Sequence, residues 1–373
     1  MALVLNEEQQ MLRDSARDFL ASRAPVGHLR ELRDSNNPDG FSRELWSEMT
    51  DMGWPAILVP EQYGGLEYGY TGIGLVLEES GRTLTPSPLL CTAMMGAAAI
   101  VKAGSDKQRE DILPAIAAGE CLLALACDES PRHAPHKVET TAQADDAGFR
   151  INGGKTAVAD GHVADRLIVS ARTNDGVSLF LVPADAAGVS VEPYHVLDTH
   201  LAARVTFTDV EVGHEALLGP LNGGFAILER VLDIGRAGVS AELLGIAQEA
   251  FERTVEYLKE RKQFGVPIGS FQALQHRAAH LYSEIEICKS LVIKTLQTLD
   301  ENPAGDAELV SMTKAKLAET AHLATAEAIQ MHGGIGMTDE FDIGFFLKRS
   351  RILENLYGDG YFHLDRFARQ RGY

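Results

Sequence analysis

Apolar side chains recur at helical spacing through the N-terminal third of the chain. Between Glu7 and Leu20, the positions Met11, Leu12, Ala16, Phe19 and Leu20 fall on one helix face. Phe41–Met52 and Ile73–Leu84 read the same way, separated by the turn-rich run Pro60-Glu61-Gln62-Tyr63-Gly64-Gly65. From about Cys121 to Gly219 the period shortens toward two. Phe149–Lys155 predicts a strand entering a tight Asn-Gly turn at Asn152-Gly153. Arg166–Ala171 and Val177–Val182 predict buried strands, and Arg204–Thr208 alternates polar with apolar. Beyond Gly224 long helices return. Leu274, Ala278, Leu281, Ile285, Cys288 and Leu291 alternate spacings of three and four, predicting one buried stripe. The run Asp300–Gly305 ends that helix, and Asp306–His332 predicts another.

The expected fold class is therefore multi-domain α+β. Its parts are an N-terminal helical domain (1–120), a middle antiparallel β domain (121–220) and a C-terminal helical bundle (221–373). The length of 373 residues fits two or three domains, and 45% hydrophobic with 23% charged residues is ordinary for a soluble protein. Acidic residues outnumber basic ones 53 to 34, a formal charge of −19 that argues against nucleic acid or an anionic membrane as partner. The start MALVLNEEQQ has no basic n-region, and the small-apolar stretch Ala93–Val101 is too short to span a bilayer. Cys91, Cys121, Cys127 and Cys288 show no CxxC spacing, which predicts free thiols in a reducing cytoplasm. The histidines of the β region have no metal spacing, so no metal site is expected.

Three stretches carry a more specific signal. Gly53-Trp54 leads into Pro60–Gly65. Arg261-Lys262-Gln263-Phe264-Gly265 precedes Phe271-Gln272. Gln330-Met331-His332-Gly333-Gly334-Ile335-Gly336 closes the long C-terminal run. In this order and at these separations, the chain resembles the acyl-CoA dehydrogenase family over essentially its whole length. The resemblance implies a C-terminal four-helix bundle and FAD as cofactor. It implies removal of an α-proton and a β-hydride from an acyl-CoA thioester, with an electron-transfer flavoprotein as electron acceptor.

The residue chemistry suits a dinucleotide. Arg261 is permanently charged and forks onto phosphate, and Phe264 offers a flat apolar surface. Gly333 and Gly334 let backbone N–H groups approach a diphosphate. A helix-end arginine and a capping glycine pair would show the same residues, but Gln272 and Gln330 at the matching family positions favour the cofactor. In the family these residues bind the FAD held largely by the neighbouring subunit. His332 is expected near the adenine or phosphate. Asp233 and Arg236 match positions that touch CoA, and would also make an i,i+3 ion pair on a helix surface.

The departures from the family concentrate in one half of the site. Where the family carries its catalytic glutamate, this chain reads Leu356-Tyr357-Gly358-Asp359-Gly360, with glycine at the glutamate position. Some members mount the base just before an arginine at the start of the C-terminal bundle; here that residue is Gly235, beside Arg236. Asp359 is the remaining candidate base, shorter than glutamate by about 1.5 Å, one C–C bond. A Gly-Asp-Gly surface turn is the plainer reading of it. In the middle domain, Ala157 and Ala159 stand where the family has a tryptophan and a threonine against the flavin. Asp128–His133 replaces its Thr-Glu and Gly-Ser-Asp segment. The chain thus keeps the residues lent to a neighbour and loses those for its own flavin. Three arrangements follow: pairing with a catalytically complete second dehydrogenase subunit, as in the α2β2 members that degrade steroid side chains, a homodimeric dehydrogenase with Asp359 as base, or a flavin oxidase of the same fold using that aspartate on a non-CoA substrate.

Overall fold

The structure, a computed structural model, describes residues 3–302 and 304–373. Pro303, within the predicted 300–305 turn, lies outside the described residues. Six helices come first: α1 (Glu7–Arg23), α2 (Val26–Asp34), α3 (Arg43–Asp51), α4 (Gly69–Thr83), α5 (Ala97–Ala103) and α6 (Asp106–Ala117). A π-helical stretch, Leu89–Gly96, runs directly into α5. Strands β1 (Leu123–Ala126), β2 (Thr141–Ala144), β3 (Gly148–Ala159) and β4 (Arg166–Arg172) follow. They continue with β5 (Val177–Pro183), β6 (Val189–His195), β7 (Leu201–Gly213) and β8 (Leu217–Leu218). The chain then forms α7 (Gly224–Glu260), a hairpin of β9 (Lys262–Gln263) and β10 (Val266–Pro267), α8 (Gln272–Glu301) and α9 (Ala307–His332). It ends with α10 (Ile343–Asn355) and α11 (Gly360–Gln370). Among the described residues, no helix is long and apolar enough to cross a membrane. All four cysteines are buried and unbridged.

By compactness the chain divides into two units. One comprises Ser35–Ile73 and Pro86–Gly235; the other comprises Met1–Asp34, Gly74–Thr85 and Arg236–Tyr373. The first unit holds an eight-stranded sheet in the order β6-β7-β3-β2-β4-β5-β8, with β1 beside β4. Pairing is antiparallel except where β1 and β2 meet β4. Phe149, Ile151, Leu167, Val169, Phe180, Val205 and Phe207 form its core, and Phe149 meets Phe180 edge-on at 4.9 Å.

The predicted Asn-Gly turn is not there. β3 runs straight through Asn152-Gly153, and the pair marks a bulge against β7. Asn152 is used sideways: its Nδ2 donates to the Asp209 carboxylate at 3.1 Å, and its Oδ1 accepts from the Asp209 N–H at 2.8 Å. Gly153 has φ +144, and a Cβ there would lie 2.6 Å from Thr140 Cα, so glycine is required by the close approach rather than by a reversal.

In the second unit α9 packs against α8, α10 and α11. The predicted α8 stripe is buried at Leu281, Ile285 and Cys288 and continues through Val292, Leu296 and Leu299. Leu274, Ala278 and Leu291 are only half-buried, and most of Gln272–His280 is exposed. Helices α4 and α7 cross backbone to backbone. A Cβ on Gly245 would sit 1.8 Å from the Glu78 carbonyl oxygen, and one on Gly81 2.2 Å from that of Glu242.

Candidate functional site

The six residues expected to hold the dinucleotide are all in the second unit and all exposed. Arg261 follows α7, where its N–H still donates to the Tyr257 carbonyl at 2.9 Å. The β9–β10 hairpin then turns on Phe264 (φ +54) and Gly265 (φ +84). A two-residue hairpin loop needs positive φ at both central positions, which normally selects Asn-Gly or Asp-Gly. A phenylalanine there is strained, and it is 93% exposed, held only edgewise by Phe271 at 6.3 Å. The strained backbone and the exposure together leave its aromatic face open to contact. Gln272 opens α8, and Gln330 lies in the last turn of α9.

The Gly333–Met337 segment is a tight 3-10 turn with nothing within 4 Å of where side chains on Gly333 and Gly334 would begin. The Gly333 N–H already donates to the Gln330 and Ile329 carbonyls as the C-cap of α9, so what stands open is the outer face of the turn where side chains are missing. Tyr257, one turn before Arg261, stacks on His332, the residue before Gly333, at 4.4 Å between ring centres. The stack brings the arginine and the glycine turn to one end of the unit. His332 itself is buried between Tyr257 and Phe341, its Nδ1–H donating to the Ala328 carbonyl at 2.7 Å. Burial lowers its pKa, so it is a neutral packing residue at pH 7 and not a group facing phosphate.

From Arg261 to Ser283 the sequence has no acidic residue, although the chain as a whole is strongly acidic. The β9–β10 hairpin itself therefore carries only basic charge, from Arg261 and Lys262, with Glu260 just before it at the end of α7.

A second cluster lies under residues 356–360. Arg236 is wholly buried; its Nε donates to the Tyr357 carbonyl at 3.0 Å, and the Phe362 ring covers its guanidinium at 5.3 Å. Lys314, also fully buried, donates from Nζ to the carbonyls of Glu354 at 2.9 Å and Gly358 at 3.1 Å. Burial, with the Arg236 charge nearby, pushes the Lys314 amine down to about 7. Two cations therefore fasten the loop by its carbonyls. Tyr357 (φ +58) and Gly358 (φ +114) carry the bend. A Cβ on Gly358 would meet Phe362 Cδ1 at 2.5 Å and His363 Nε2 at 2.8 Å. Asp359 is the N-cap of α11, its Oδ1 accepting from the Phe362 N–H at 2.7 Å.

The first unit holds the remaining candidates. Asp233 is buried, so with Arg236 also buried the expected surface ion pair is not on a surface. The charge on Asp233 supports that on Arg230, one turn earlier. A Cβ on Gly235 would lie 2.5 Å from Met95 Sδ. Asp128 accepts from His133 Nδ1 at 2.8 Å and from the Ala134 N–H at 3.2 Å, closing the 128–134 loop on itself. Ala157 has φ +51 at a second bulge of β3.

Sequence reading missed Lys314 and the Phe362–His363 pair. Lys314 had a signal, being a lone cation in the α9 stripe Val310, Leu317, Ala321. The Phe362–His363 contact with Gly358 depends on loop conformation and had none.

Three family domain profiles match the chain: acyl-CoA dehydrogenase N-terminal domain at residues 6–120, middle domain at 129–210 and C-terminal domain at 222–371. The chain belongs to the acyl-CoA dehydrogenase family. It is 30% identical to the probable acyl-CoA dehydrogenase YngJ of Bacillus subtilis over 99% of this chain and 98% of that one. It is 28% identical to the caffeyl-CoA reductase-Etf complex subunit CarC of Acetobacterium woodii, over 94% of each. Among solved structures, the steroid ACAD Tcur3481-Tcur3483 superposes with a TM-score of 0.90 at 31% identity, over 98% of both chains.

The cofactor of acyl-CoA dehydrogenases is FAD. The second unit fits its adenine and diphosphate half, offering an exposed permanent cation, an exposed strained aromatic and an open glycine backbone. The first unit fits the flavin ring less well. The Asp128 carboxylate is turned inward to His133, and alanines at 157 and 159 give neither stacking area nor hydrogen bonds.

Proposed function

We propose that this chain acts in α,β-dehydrogenation of an acyl-CoA as one subunit of a heteromeric dehydrogenase. In this reading it lends Arg261, Phe264, Gln272, Gln330, Gly333 and Gly334 to an FAD held mainly by a catalytically complete partner. One observation carries the reading. Both positions from which family members mount a base are glycines here, and the space beside each is filled, by Met95 at Gly235 and by Phe362 and His363 at Gly358. When bound, FAD accepts the β-hydride. This chain's part is to neutralise the diphosphate with Arg261, to bring the open face of the Gly333–Gly334 turn against it and to cover a ring with Phe264. The partner supplies the base and the hydrogen bonds to the thioester oxygen. A steroid acyl-CoA is the favoured substrate class and an electron-transfer flavoprotein the favoured acceptor. The steroid ACAD structure and the Etf-complex relative support these two choices.

Expressed alone, the chain should carry little flavin, and both flavin and acyl-CoA-dependent dye reduction should appear on co-expression with a partner dehydrogenase. Stoichiometric FAD on the chain alone would overturn the reading. In the chain alone, Phe264→Ala should leave the melting temperature within about a degree or two, since so exposed a side chain adds little to stability, while in the assembled enzyme the same change should cause flavin to be lost on gel filtration.

A homodimer using Asp359 as base is the rival, favoured by its place directly after Gly358. Asp359→Asn separates the two. Asparagine caps a helix about as well as aspartate, so stability holds within about 0.5 kcal/mol, but asparagine accepts no proton. Unchanged partner-dependent turnover supports the lending role; loss of turnover with flavin retained supports the rival.

A further inference from the structure

The turn rests on α9 through the buried Gly336, where a Cβ would lie 2.9 Å from the Ile329 carbonyl oxygen, but the open side at Gly333 and Gly334 leaves its position to be set also from its two ends. The incoming end is α9, with His332 wedged between Tyr257 and Phe341. The outgoing end is held by α2, some three hundred residues earlier in sequence. Arg33 forks onto Asp339, Nη1 to Oδ1 at 2.7 Å and Nη2 to Oδ2 at 3.0 Å. Arg30 adds Nη1 to Asp339 Oδ2 at 3.1 Å and Nη2 to Asp342 Oδ1 at 3.0 Å. Both guanidinium groups lie over the Phe345 ring, at 4.8 and 5.1 Å.

An isolated surface ion pair contributes little, because two long side chains must be ordered to form it. This cluster differs in three respects. The fork is bidentate and so fixes direction as well as distance. The guanidinium planes are pre-ordered by stacking on an aromatic ring. One carboxylate, Asp339, takes both arginines, and the second, Asp342, is also approached by Arg253 at 3.6 Å. What the cluster holds is the stretch just after Met337, where the turn leaves for α10.

We propose that Arg33 and Arg30 are positioning residues for the dinucleotide half-site. By fixing Asp339 and Asp342 they keep the Gly333–Met337 turn in the one conformation that leaves the side-chain-free face of Gly333 and Gly334 open to a diphosphate. The proposal rests on the lending role argued above.

The test uses the full chain with ADP as probe, together with amide hydrogen exchange of the ligand-free protein. Arg33→Met keeps the aliphatic stem and removes the fork. It should weaken ADP binding about tenfold and speed exchange at residues 335–342 by a similar factor, with the α9 interior unchanged. Asp339→Asn should do the same. The double variant should fall well short of the sum of the two single effects, because both remove the same fork. Arg33→Lys, which keeps charge without the fork, should recover only part.

Wild-type ADP affinity and exchange in Arg33→Met would overturn the clamp and leave the lending role standing. Faster exchange with unchanged ADP affinity would also overturn it, since the arginines would then brace a loop and not a site. A wild-type chain that does not bind ADP would overturn this proposal alone; the lending role itself falls if co-expression with a partner brings no flavin.

Discussion

Between pH 7 and pH 10, the stability of the wild-type protein should rise by roughly 3–5 kcal/mol relative to a Lys314→Met variant. Lys314 is fully buried and its amine is held at about 7, chiefly by burial and then by the Arg236 charge. In the unfolded chain it titrates near 10.4. Between those values the unfolded state binds more protons than the folded state, so stability increases with pH. The contribution of Lys314 is fully present above about 10.4 and is lost as pH falls to about 7. The neutral amine still donates to the Glu354 and Gly358 carbonyls. Methionine fills the volume but leaves both carbonyls facing a thioether, at about 1–3 kcal/mol each. Near neutral pH the lost hydrogen bonds and the relieved burial of charge oppose each other. Toward pH 10 only the loss remains, and the variant falls behind. Urea unfolding midpoints for both proteins at several pH values in this window measure the difference, and one that does not change with pH would show that Lys314 is not the titrating group.

The same residue marks the limit of what could be read from sequence. Helical periodicity placed α8 and its buried Leu281, Ile285 and Cys288, because a repeat of three and four residues is set by helix geometry and survives any packing detail. It also located β4 and β5, where runs of β-branched and aromatic residues leave few alternatives. Asn152-Gly153 failed as a turn because the same permissive backbone serves a bulge, and only the partner residues Asp209 and Thr140 distinguish the two. Periodicity did not reveal the clamp from α2, since Arg33 and Asp339 come together only through the tertiary fold. For the proposed half-site, the residue types suggested the chemistry, and what the structure adds is that Arg261, Phe264 and the glycines are exposed. The filled side of Gly358 was not legible, because it depends on which way Phe362 and His363 turn.

Restoring a carboxylate at the family position, by Gly358→Glu, should destabilise the protein by about 2–5 kcal/mol and confer no dehydrogenase activity. The backbone there has φ +114, a conformation L side chains rarely adopt. The first side-chain carbon would lie 2.5 Å from Phe362 Cδ1 and 2.8 Å from His363 Nε2, so either the ring leaves Arg236 or the loop shifts. A shift would in turn break the bonds from Arg236 to Tyr357 and from Lys314 to Gly358. Phe362→Ala opens the space, so the double variant should be less destabilised than the sum of the two single ones. That non-additivity, read from denaturant midpoints, tests the steric account independently of any catalysis. For function, the lending role makes a definite demand. If the partner's base does the chemistry, neither Gly358→Glu nor the double variant turns over acyl-CoA without the partner, and flavin content on co-expression is unchanged. Partner-independent, acyl-CoA-dependent dye reduction by Gly358→Glu would instead mean that this chain holds a complete flavin and substrate pocket of its own, lacking only the carboxylate. The heteromeric reading would then fall.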